Sequence, residues 1–190
     1  MNHMVQNWYD IDSEIILLLL KGNKHLREIA RDLKISHSTI SRKLNKLIKE
    51  NVLDYKKEGK NKVFFIKKNL KAKNSVFRAE RYKLNKILSK YPKLEIILEE
   101  ILNNIPYNEV SMLVLFGSYA KGLAKKTSDI DIYINSTNKK IKQIIENIHS
   151  DINVKIGEFN PESLLIKEII KNHIILRGVE EFYERIKFFK

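Results

Sequence analysis

Cysteine is absent from the 190 residues, which excludes disulfides and thiolate metal sites. No apolar run approaches the ~18 residues that a membrane span requires. Ile15 to Leu20 is a short core-helix segment, bounded by Glu14 and by Lys21-Gly22. A basic stretch followed by an apolar one is missing from the N-terminus, so a cytoplasmic protein with no membrane partner is expected by elimination. His3, His25, His149 and His173 lack the spacing of metal ligands and read as structural or exposed. Internal repeats and low-complexity segments are missing too.

Positive charge is what the chain has in excess. Its formal net charge is +13, of which residues 1–70 carry +7 and residues 71–190 carry +6. Such a field attracts polyanions and steers them in at low salt. The bias toward Lys, Ile and Asn is also what AT-rich codons favour, so charge alone supports nucleic-acid binding only modestly.

The most informative stretch is residues 117–134, GSYAKGLAKKTSDIDIYI. An apolar strand, Met112 to Phe116, leads into Gly117-Ser118. A basic loop follows, and Asp129-Ile130-Asp131 opens a second apolar strand. Carboxylates at i and i+2 on a strand point to the same face, and such a pair suits a divalent cation. Gly117 lets the backbone approach a ligand closely, and N–H groups at the start of the next helical turn favour an anion. Lys121, Lys125 and Lys126 add positive charge beside it.

Gly-Ser, a spacer and Asp-x-Asp between two apolar strands resemble the minimal nucleotidyltransferases of the DNA polymerase β superfamily, over roughly residues 105–180. The resemblance implies a small mixed sheet and an NTP held by Gly117, Ser118 and Lys121. It also implies Mg²⁺ held by Asp129 and Asp131, which would be the catalytic pair, with a nucleoside monophosphate moving to an acceptor hydroxyl. Active members carry a third carboxylate on a later strand. The matching segment here is Ile152 to Ile156, which places Asn153 at that position and Lys155 on its face. Asn carries no charge and is a poor proton acceptor. Asp151 and Glu158 are the nearest carboxylates in sequence.

Residues 10–67 carry a second pattern. Ile11 to Leu20 reads as a helix, and Leu26, Ile29, Ala30 and Leu33 form the apolar face of another. Lys34-Ile35-Ser36 is a break, with Ser36 placed to cap a third helix whose core face is Ile40, Leu44, Leu47 and Ile48. Val52 to Tyr55 and Val63 to Lys67 read as strands flanking a basic loop, Lys56 to Lys62. This order resembles the winged helix-turn-helix domains of archaeal and bacterial transcription regulators. The resemblance implies duplex DNA as a partner, met by Ser36, His37, Ser38, Thr39, Arg42, Lys43 and Lys46 on the third helix and by Lys57, Lys60 and Lys62 on the wing.

The expected architecture is α+β, with a winged helix-turn-helix domain over 1–70, a helical linker over 71–91 and a polymerase-β-like nucleotidyltransferase domain over 92–190. Small relatives of this type act as antitoxins that nucleotidylate a toxin, or modify small molecules. A toxin-like protein partner therefore joins DNA and NTP as an expected partner, and so does a second copy of the chain, since winged-helix regulators are often dimers and Phe77, Leu84 and Leu88 form an apolar stripe on the linker. The rival expectation is a regulator without catalysis, whose transferase domain senses nucleotide or dimerises.

Overall fold

The computed structural model describes residues 9–106 and 108–190; His3 lies outside them. The chain divides into two compact units after Tyr82, each with its own sheet.

The first unit opens with α1 (Ile11–Leu19), capped by Asp10, whose carboxylate accepts from Asp12 N–H at 3.0 Å. A two-residue strand, β1 (Lys24–His25), leads into α2 (Leu26–Leu33). There Glu28 reaches back to accept from His25 N–H at 2.7 Å, satisfying a donor that the helix start leaves free. Lys34 ends α2 in the left-handed region at φ 56°. Ser36 then caps α3 (His37–Lys49) by accepting from Thr39 N–H at 3.3 Å. Ile15, Ile16, Ile29, Ile40, Leu44 and Leu47 are fully buried. Each such side chain contributes about 1.5–3 kcal/mol of burial free energy.

The wing is more regular than the sequence suggests. β2 (Leu53–Glu58) and β3 (Asn61–Ile66) pair antiparallel up to Glu58 opposite Asn61. The expected seven-residue loop is therefore a two-residue turn, Gly59-Lys60, with Gly59 at φ +59°. Most of its lysines lie on strands. β1 pairs with β3 on the other side, an element too short to show any sequence period.

α4 (Leu70–Lys90) runs from the first unit into the second, the division falling within it. In the second unit α5 (Pro92–Asn104) starts with proline at its first position, where the missing N–H costs nothing. β4 (Leu113–Leu115), the one-turn α6 (Gly117–Ala120), β5 (Ile130–Asn135), α7 (Lys139–Glu146) and β6 (Ile152–Gly157) follow. α8 (Leu164–Lys171), β7 (Ile174–Arg177) and α9 (Val179–Arg185) complete it. The sheet order is β6-β5-β4-β7, with β5 and β6 parallel through the α7 crossover and the other pairs antiparallel. It is the expected small mixed sheet. Ile130, Ile132 and Ile134 share one face of β5 and pack with Leu94, Leu98, Ile101, Ile141 and Ile145. Period two then sends Asp129, Asp131 and Tyr133 to the opposite face. Arg177 donates to the carbonyls of Leu102, Ile105 and Val110 at 3.4–3.5 Å, closing the C-terminal end of α5.

Candidate functional site

β4 ends where β5 begins its carboxylate pair. Phe116 N–H donates to Asp131 C=O at 2.9 Å, and the chain turns into α6 through Gly117 at φ +68°. A Cβ at Gly117 would run into the Asp131 carboxylate, whose Cγ would lie 3.0 Å away. Glycine is thus required twice, for the backbone angle and for the packing of the acid against the turn. Ser118 is half-buried beside it, while Asp129 stands exposed just before β5.

Asp131 is half-buried, and burial is the foremost influence that lifts its pKa above the ordinary carboxylate range. A hydrogen bond from Asn153 opposes the rise, Asp129 adds to it, Lys155 opposes it and Glu168 adds to it. A carboxylate with acidic neighbours that burial and charge both disfavour is a place where a cation is welcome. Asp129 and Asp131 therefore fit a divalent ion of the Mg²⁺ type. Among the described residues, no group of three or more His, Asp or Glu side chains is arranged to hold a metal.

Asn153 pairs in register with Asp131 across the parallel β5–β6 ladder, and its Nδ2 donates to Asp131 Oδ1 at 2.9 Å. An amide donor thus occupies one carboxylate oxygen. Asp151 lines a cleft of about 620 Å³ with Tyr91, Tyr119, Lys125 and Lys126, and the field of Glu158 falls on Tyr133. Lys121 follows α6 and bonds Glu168 of α8 at 2.8 Å, so a residue expected at the phosphates already has an acidic partner. Glu168 carried no sequence signal, because it sits on a helix outside the strand motif.

On the first unit, Ser36 Oγ donates to Thr39 Oγ1 at 2.9 Å and lies 3.1 Å from Ser38 Oγ, a hydroxyl cluster at the start of α3. His37, Ser38 and Arg42 are exposed. Ser38, Ser41, Arg42, Asn45, Lys46, Lys49 and Glu50 line an open groove along the helix. Lys43 and Lys46 also reach back to α1. Their ammoniums lie 3.0 and 2.7 Å from the two oxygens of Asp12, whose side chain is only 7% exposed. Burial raises the Asp12 pKa, but hydrogen bonds and charge from Lys46 and Lys43 outweigh it and hold the acid below the ordinary range. Lys57 and Lys62 stand directly opposite each other on the wing, both exposed, and Lys62 lies over the Tyr55 ring at 4.0 Å. Lys60 projects from the turn.

Residues 94–177 match the nucleotidyltransferase domain family, and residues 13–55 match the arsR family of bacterial regulatory proteins. A chain in a crystal structure of a toxin-antitoxin with AMP-PNP is 22% identical to this one, over 56% of this chain and 84% of that chain, with a TM-score of 0.33. No curated protein matches the sequence. The chain joins a winged helix-turn-helix domain to a nucleotidyltransferase domain.

Proposed function

We propose that this protein is a DNA-binding transcription regulator whose second domain binds Mg²⁺–NTP and moves the nucleoside monophosphate to a hydroxyl of a partner protein or small molecule. The observation that supports the reading is the packing of Asp131 against Gly117, the residue before Ser118. Ser118 and the N–H groups of the turn would receive phosphate oxygens, and Lys121 would add charge once released from Glu168. Asp129 and Asp131 would hold the metal, which supplies charge neutralisation on the triphosphate. A toxin-like acceptor suits this reading, with the regulator binding near the operon that encodes both.

Calorimetry on the full chain tests it. NTP binding should require Mg²⁺ and vanish in the double variant Asp129→Asn/Asp131→Asn. Binding that persists without metal, or in that variant, contradicts the assignment. Transfer is tested with labelled NTPs and Mg²⁺ in an extract that contains the acceptor.

One observation favours a second reading, a nucleotide-binding regulator without catalysis. Asn153 stands at the third position and spends its amide on Asp131, leaving no base for an incoming hydroxyl on that strand. In this reading nucleotide binding survives as above and no label moves with any acceptor.

A further inference from the structure

The second domain has an acid out of place. Asn153 fills the strand position beside Asp131 as a neutral donor, and Lys155 follows it with a positive charge. Two carboxylates then face a triphosphate and its cation, with nothing on β6 to help them. Glu168 stands on a helix rather than on β6. It lies in the middle of α8, a helix anchored by buried Ile166 and Ile169 and capped by Ser163, so its backbone is fixed. Lys121, one residue beyond α6, grips it at 2.8 Å. That ion pair sets the carboxylate beside the element that begins with Gly117-Ser118.

We propose that Glu168 supplies the third acidic group of this site, and that Lys121 holds it in reserve until a triphosphate takes the lysine. The inference rests on the reading of Asp129 and Asp131 as a divalent-cation site. Lys121 N–H donates to Gly117 C=O at 3.2 Å, so the residue that grips Glu168 belongs to the turn against which Asp131 packs. The Lys121–Glu168 pair is partly exposed on both sides, 36% and 51%, and such pairs open at little cost. A triphosphate offers Lys121 a more highly charged partner than a single carboxylate does. Once released, the glutamate is free to turn toward the cation while α8 stays anchored by Ile166 and Ile169. Three carboxylates would then face the cation, restoring the charge that Asn153 removes. The exchange couples the two ligands: nucleotide frees the acid, and the acid strengthens the metal.

Mn²⁺ serves as the probe, its free concentration read by electron paramagnetic resonance on the full-length protein, with and without α,β-methylene-ATP. Glu168→Gln should weaken Mn²⁺ binding in the presence of the analogue by about tenfold or more, the loss that even an indirect metal partner causes. Lys121→Ala frees the acid permanently, so Mn²⁺ should bind more tightly without nucleotide while the analogue binds more weakly. Adding Asn153→Asp to Glu168→Gln should return Mn²⁺ affinity toward the wild-type value, which a purely structural Lys121–Glu168 bridge would not do. The proposal is overturned if Glu168→Gln binds Mn²⁺ as the wild type does while Asp131→Asn does not. If Asp129→Asn/Asp131→Asn also binds like the wild type, it is the metal site itself that fails.

Discussion

Gly117 and Asp131 pack so closely that there is no room for one more carbon. Gly117→Ala must add a Cβ where the Asp131 carboxylate sits and hold φ at +68°, a region costly for alanine. Thermal unfolding should show a loss of at least roughly 1 kcal/mol, and Mg²⁺-dependent NTP binding should fall with it. A variant that binds and melts like the wild type removes this packing from the site. Asp12 carries a prediction of opposite location. Asp12→Asn takes a counter-charge from Lys43 and Lys46 and should destabilise the chain by roughly 1–2 kcal/mol, since both ammoniums keep some water and Lys46 keeps Glu50 at 3.7 Å. The pH sign follows from the depressed acid: its stabilisation is present above the ordinary 3.8 and is lost as pH falls below that value through the lower folded pKa. Wild type should therefore lose stability in that acid window and Asp12→Asn should lose less, as read by circular dichroism melts. At this scale the strand motif was the legible part. Period two put Asp129 and Asp131 on one face, and the aligned strand put Asn153 beside Asp131. Lys43 and Lys46 read only as part of the DNA-facing side of the third helix, because Asp12 lies on another helix more than thirty residues away in sequence. Glu168 was invisible for the same reason.

Helices α1, α2 and α3 follow the apolar spacing and the Ser36 cap closely, since those signals are local. The wing differs because its outer residues are lysines. No apolar alternation marks Lys56-Lys57 or Lys60 to Lys62 as strand, yet hydrogen-bonded pairing continues to Glu58 and Asn61 once Gly59 supplies a tight turn. That geometry sets Lys57 against Lys62, like charges on opposed positions, which disfavours the hairpin. Lys57→Glu should consequently make two changes of opposite sign. The hairpin should gain about 0.2–1 kcal/mol from an opposite-charge pair, while duplex DNA should bind more weakly through the lost cation. Melting temperature and DNA affinity measured on the same preparation check this. If both fall together, the lysine pair is structural rather than an anion-binding device. Arg42 provides the control on α3: exposed along the groove, its alanine variant should lose DNA affinity without losing stability, whereas Lys43→Ala and Lys46→Ala should lose stability first.

Charge at the scale of the molecule is spread almost evenly, +7 over residues 1–70 and +6 over 71–190, so net charge does not by itself say where a polyanion binds. The two units have separate sheets, and the carboxylate pair lies wholly in the second while α3 and the wing lie wholly in the first. Binding of duplex DNA and of Mg²⁺–NTP should then respond to different substitutions in the intact chain. Replacing Lys56, Lys57, Lys60 and Lys62 by alanine should weaken binding to every DNA sequence and flatten the dependence of log affinity on log salt by about 0.9 for each phosphate no longer neutralised. The same variant should bind Mg²⁺–NTP as before. Asp129→Asn/Asp131→Asn should do the reverse, abolishing nucleotide binding while leaving the salt slope in place. If the slope instead changes in the aspartate variant and stays constant in the wing variant, the DNA is held by the second unit, and the helix-turn-helix is not the reading head.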